Sequence, residues 1–172
     1  GAFLAVVVVA IFLRNWRATV IAASALPLSV IPTFIAMSYF GYTLNTVTLV
    51  SLALVVGVLV DDAIVEIENI ARFIENGHTP MQAAMEAADE IGLAVIATTF
   101  ALVAVFLPTA FMGGTVGQFF RPFGLTTVAA VLASLLVARL LTPMMAAYMM
   151  KPAAPRAPGA HHEPEDGRLM RG

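Results

Sequence analysis

The sequence predicts an all-α fold, a polytopic transmembrane helix bundle, and three observations carry that prediction. Hydrophobic residues make up 60% of the 172 residues and charged residues only 12%, against about 45–50% and about 25% in soluble domains. The mean hydropathy is +0.90. The apolar residues fall into runs of about 20, the length a helix needs to cross the hydrocarbon core of a bilayer, with short polar breaks between them. A water-soluble chain of this length must cover most of its surface with polar groups, and this one has too few.

The elements follow in order. GAFLAVVVVAIFLRNWR places Arg14 and Arg17 after its apolar run, whereas a signal peptide has its charges before the run and a cleavage site after it. With no initiator methionine, residues 1–13 are expected to be the end of a longer spanning helix, and the sequence a fragment. The first complete span is expected at 18–40. Its Pro27 and Pro32 would break a soluble helix, but in lipid neighbouring helices satisfy the freed carbonyls. GYTLN at 41–45 turns the chain into a second span at 46–67. There Gly57 is expected to allow close helix contact, and Glu68 and Asn69 to cap the cytoplasmic end.

The next stretch is amphipathic. Thr79, Pro80 and Gln82 form a capping box with proline at the first helical position. Met81, Ala84, Met85, Ala88 and Ile91 share one face. The reading is a cytoplasmic interfacial helix over about 79–90, lying along the membrane. A third complete span at 91–112 contains Pro108, GGTVGQFFRP forms a turn, and the last span is expected at 123–150. The count is one partial and four complete spans, making a helix bundle over 1–150. Residues 151–172, rich in proline, alanine and charge, are expected to be a flexible cytoplasmic linker.

Basic residues set the orientation. Arg14, Arg17, Arg72, Lys151, Arg156, Arg168 and Arg171 lie in alternate connections, and Arg121 lies in the opposite ones. The positive-inside rule then places 14–17, 68–90 and the tail in the cytoplasm.

Several function classes drop out. A net charge of -2 with no basic stripe disfavours nucleic acid. The absence of cysteine excludes disulfides, thiolate metal sites and cysteine nucleophiles. GGTVG lacks the lysine and the preceding strand of a phosphate loop. His161 and His162 lie in the tail, the methionines at 144, 145, 149 and 150 read as packing, and no cofactor, metal or enzymatic activity is expected. Thr98 and Thr99 are candidates for hydrogen bonds between helices.

Asp61 and Asp62 carry the chemistry. No charged residue stands between Arg17 and Asp61. At about 1.5 Å per residue, Asp61 lies about 24 Å along the axis from Asn45 and Asp62 about 15 Å from Arg72, so both sit inside the hydrocarbon. One aspartate at a helix centre costs about 2.5–3.5 kcal/mol on an insertion scale, and ionisable residues at that depth are functional by default. Burial disfavours an ionised carboxyl group, and a neighbouring carboxylate disfavours it further, so the two should titrate as a coupled unit. Such a pair can load a proton on one side and release it on the other, given a removable cation partner.

GVLVDDAIVEIENIAR resembles the fourth transmembrane helix of the resistance–nodulation–division (RND) multidrug efflux pumps of the acriflavine-resistance type. FLRNWRATVIAASALPLSVIPTF resembles the turn and helix before it. FLPTAFMGGTVGQFFRPF and LTPMMAAYMMKP resemble the end of the fifth helix with its turn and the end of the sixth. The resemblance covers residues 1 to 152 and implies a segment from the end of helix two to the start of the linker after helix six. It implies proton-driven export of drugs or other amphiphilic small molecules, with Asp61 and Asp62 as the proton-relay carboxylates. Their partners would be a lysine and polar residues on later helices. It further implies a multi-pass location in the bacterial inner membrane, surrounded by membrane lipids, and a homotrimer working with a periplasmic adaptor and an outer-membrane channel.

Two residues depart from that pattern. Glu66, four positions after Asp62, stands where the family commonly has valine, and Arg139 where it commonly has an apolar residue. Arg139 lies about 18 Å along the axis from Lys151, deep for snorkelling. The two are expected to reach similar depths and to form an intramembrane ion pair; pairing of Arg139 with an aspartate, or with headgroups, are the other readings. Alternatives for the whole chain are an RND exporter of metal ions or lipids, or a stand-alone helical membrane scaffold or channel component.

Overall fold

The computed structural model describes residues 2–152, and among them every regular element is helical. The linker expected at 151–172, and with it His161 and His162, lies outside the described residues after Pro152.

Helix α1 (Ala2–Leu13) ends at Arg14, whose positive φ of 47° turns the chain into α2 (Trp16–Tyr39). Asn15 caps α2, its side chain accepting from the Arg17 amide at 3.1 Å. Helix α2 runs through Pro27 and Pro32 and buries Ala18, Ile21, Ala22, Ala25, Ser29 and Thr33 along one side. This stripe of mostly small residues lets helix backbones approach closely in a membrane.

Helix α3 (Thr46–Glu75) opens with a reciprocal capping box. Asn45 accepts from the Thr48 amide at 2.9 Å, and the Thr48 hydroxyl accepts from the Asn45 amide at 2.9 Å. The helix continues eight residues past the expected end at 67. Ile67, Ile70 and Ile74 keep helical spacing and are buried, and no breaker occurs before Asn76 and Gly77, the latter at φ 99°. Asn69 is therefore an interior residue of the helix; Asn76 occupies the cap. Gly57 makes no close helix contact, since a Cβ there would meet nothing within 4 Å among the described residues.

Helix α4 (Pro80–Phe106) starts at the expected capping box. It is one continuous helix, so the interfacial segment at 79–90 and the span at 91–112 are not separate elements. Gly92 alone does not break it, and Ala83, Ala84 and Ala87 are buried in the same cluster as Ile67, Ile70 and Ile74 of α3. The small face of the amphipathic stretch thus packs on a neighbouring helix, while Met81 and Met85 stay exposed. A tight 3₁₀ segment around Pro108 (Leu107–Phe111) follows.

Helix α5 (Gly114–Leu136) begins earlier than the expected turn allowed and carries Pro122 inside it. A Cβ on Gly124 would collide with the Thr109 hydroxyl and lie 2.9 Å from the Phe106 carbonyl oxygen, so α5 closes on the end of α4 only because this residue is glycine. Val137–Leu141 widens into a π-helical turn, and α6 (Thr142–Met149) continues the rod. The Thr142 amide bonds the Val137 carbonyl five residues back, and Pro143, next in the chain, has no N–H to restore the α register.

Among the described residues four helical stretches are long and apolar enough to cross a membrane: Trp16–Tyr39, Thr46–Glu75, Pro80–Phe111 and Gly114–Met149. At about 45 Å, α3 exceeds the hydrocarbon thickness of about 30 Å, so one end of it projects beyond the core. Helix α3 touches α1, α2, α4, α5 and α6, and α5 packs on α2, α3 and α4. At the end carrying Arg14, Arg72 and Lys151, Arg17 Nη1 donates to the Met149 carbonyl at 2.5 Å, joining the start of α2 to the end of α6.

Candidate functional site

The contact between α3 and α5 positions the acidic pair. Ser51 of α3 donates to the Phe123 carbonyl at 2.9 Å and meets the Thr127 hydroxyl at 3.3 Å. Three turns further along, Ser134 donates its hydroxyl to Asp62 Oδ2 at 2.8 Å. The two helices run parallel in a register set by small, buried α5 residues such as Ala130, Val131 and Ala133.

Asp61 and Asp62 occupy different environments, as the turn of about 100° between consecutive helical positions requires. Asp62 is half-buried and held by Ser134; Asp61 is exposed. Both line a groove of about 590 Å³ between α3 and α4, whose walls include Val58, Val65, Val95 and Thr98. Thr98 and Thr99 do not bridge helices. Both hydroxyls donate to the Val95 carbonyl of their own helix, at 3.0 and 2.8 Å.

One turn beyond Asp62, Glu66 is 0% exposed, and neither of its carboxyl oxygens has a hydrogen-bond partner. The direct ion pair expected between Glu66 and Arg139 is not formed. Ion pairs among the described residues join Arg72 to Glu90 at 2.5 Å and His78 to Glu86 at 3.1 Å. Arg139 sits on the π-helical turn and donates to the Ala88 carbonyl of α4 at 2.5 Å. Its guanidinium occupies the space left by Gly92, where a Cβ would lie 2.7 Å from Nη2. The α3–α5 register that sets Asp62 beside Ser134 brings Glu66 about level with the π turn that carries Arg139.

At the end of the α3–α4 hairpin, buried Asn69 donates to the Ala87 carbonyl at 3.2 Å and accepts from Arg72 at 2.7 Å. Arg72 in turn holds Glu90. Among the described residues no group of three or more histidines and carboxylates could hold a metal ion.

The residue that sequence reasoning missed is Ser134. Its signal was present, a lone hydroxyl in the apolar run VAAVLASLLVA, but nothing local says which helix it faces.

A sequence model of the AcrB/AcrD/AcrF family matches residues 1–167. The multidrug resistance protein MdtC of Pantoea ananatis (strain AJ13355) is 49% identical over 154 residues, covering 90% of this chain and 15% of that protein. The protein of the same name from Escherichia coli O139:H28 (strain E24377A / ETEC) is 48% identical over 153 residues, covering 89% of this chain and 15% of that protein. The chain spans about 15% of the length of these curated relatives.

Proposed function

Because the chain belongs to the AcrB/AcrD/AcrF family of RND multidrug efflux transporters, we propose that it works as the proton-handling part of a proton-driven exporter of drugs or other amphiphilic compounds. Asp61 and Asp62 are the proton-relay carboxylates in this reading. The observation that carries it is two adjacent carboxyl groups far from either end of a spanning helix, Asp62 held by Ser134 and Asp61 facing a groove. A structural pair would be expected to have both members satisfied. Here one side chain is fixed and the other is open to whatever fills the groove, an asymmetry suited to accepting and passing on a proton.

The driving force is adequate in size. Each elementary charge moved through a membrane potential yields about 2.3 kcal/mol per 100 mV, so a few protons can drive export against a concentration gradient. In this reading the protein lies in a bacterial inner membrane, assembles as a homotrimer, and works with a periplasmic adaptor and an outer-membrane channel. The curated relatives carry the name multidrug resistance protein, which favours the drug branch.

The test uses the protein encoded by the complete gene, reconstituted in proteoliposomes with an imposed pH gradient and a fluorescent amphiphilic cation as substrate. Asp61→Asn and Asp62→Asn should each reduce gradient-driven export, and the accompanying proton flux, to the background of empty liposomes. Export that survives in both variants overturns the reading.

A further inference from the structure

Glu66 is the most anomalous side chain among the described residues, a fully buried carboxyl with no hydrogen bond to either oxygen. An isolated carboxylate in a medium of low dielectric is too costly to persist, so such a group is either protonated or paired with a cation. Among the described residues no ion pair joins Glu66 to a cation. Arg139 bonds the Ala88 carbonyl and packs over Gly92, on a π-helical turn that the α3–α5 register sets about level with Glu66.

The other charged groups on the elements around α3 are committed or distant. On α4, Glu86, Asp89 and Glu90 are exposed; Glu86 is paired with His78 and Glu90 with Arg72. Arg17 of α2 is held by the Met149 carbonyl. Arg121 of α5 donates to the Ala110 carbonyl at 3.0 Å, at the far end of that helix. Helices α1 and α6 carry no charged residue. Asp62, on α3 itself, bonds Ser134.

We infer that Glu66 is a third proton-binding carboxyl group, separate from the aspartate pair, and that Arg139 is its counter-ion in the deprotonated state. The arrangement seen here is the protonated one. Glu66 is neutral, and Arg139 satisfies its donors on the α4 backbone. When Glu66 gives its proton to a water molecule, leaving a carboxylate and a hydronium ion, Arg139 leaves the Ala88 carbonyl and pairs with the carboxylate. The buried site then holds one negative and one positive charge. Two features make this movement accessible: the π-helical turn under Arg139, a distortion frequent at functional sites, and the absence of a side chain at Gly92. The switch moves a bond from α4 to α3, so protonation of Glu66 alters how the two helices of the groove are held together.

This inference requires only that the membrane segment binds protons, and its test reads Glu66 directly. In the protein from the complete gene, reconstituted in lipid, difference infrared spectra across a pH titration report protonated carboxyl groups through their C=O stretch. Glu66→Gln, which keeps the shape of the protonated side chain, should remove one such band. That band should persist in an Asp61→Asn/Asp62→Asn double variant, and Glu66→Asp should restore a titrating band at a shifted frequency. Arg139→Gln should change the pH at which the Glu66 band is lost. An unchanged carboxyl spectrum in Glu66→Gln overturns the proton site, and an unchanged titration in Arg139→Gln overturns the counter-ion role. Failure of the export reading would appear elsewhere, as gradient-driven export in the aspartate variants, and would leave these bands unaffected.

Discussion

The hydroxyl of Ser134 donates to the carboxylate of Asp62 at 2.8 Å, linking residues 72 positions apart on two parallel helices. It makes α5 part of the acidic site. A hydrogen bond to a charged group contributes about 1.5–3 kcal/mol, enough to affect the docking of the helices and, in the proposed relay, proton exchange at Asp62.

Ser134→Ala should therefore slow gradient-driven export without preventing the protein from folding, and Ser134→Thr, which keeps the hydroxyl, should retain most of the rate. The check is the initial rate of substrate-dependent proton flux in proteoliposomes, measured at several pH values. An alanine variant matching the parent at every pH would mean that the bond is incidental.

Two glycines on neighbouring helices should respond in opposite ways. Gly124→Ala forces a Cβ into the Thr109 hydroxyl and against the Phe106 carbonyl, an overpacking that costs about 1–3 kcal/mol. Gly57→Ala adds its methyl group to open space and gains about 0.5–1 kcal/mol of helix preference. Thermal unfolding in detergent should show a lower midpoint for the first and an unchanged or higher one for the second.

Asn69 should matter more than the exposed ion pair beside it. It is buried and bonds the Ala87 carbonyl across the hairpin. Asn69→Ala leaves that contact unmade and should cost about 1–3 kcal/mol. Glu90→Gln removes an exposed salt bridge, the kind of interaction whose loss is often unmeasurable. Hydrogen exchange in the first turns of α4 should accelerate in the asparagine variant and stay close to the parent in the glutamine variant.

What the sequence determined by itself is what depends on short stretches of chain. Apolar runs gave the spanning helices, Asn45 with Thr48 and Thr79 with Gln82 gave two helix starts, and the lack of charge from Ala18 to Val60 set Asp61 and Asp62 apart as adjacent carboxyls within an apolar helix. Each of these follows from hydrophobic transfer or from backbone groups satisfied within a turn, so no distant residue is needed to read them. Helix ends were less legible. The stretch 68–75 stays helical because Ile70 and Ile74 are buried against neighbours, and α4 runs unbroken because its alanine face meets α3. Tertiary structure alone decided the partners. Asp62 finds Ser134 because α3 and α5 lie parallel in one register, and Arg139 turns to Ala88 because the π-helical turn and the gap at Gly92 bring α4 within its reach. Hydropathy fixes how deep a residue sits, but the rotation and register of packed helices decide which side chains meet there.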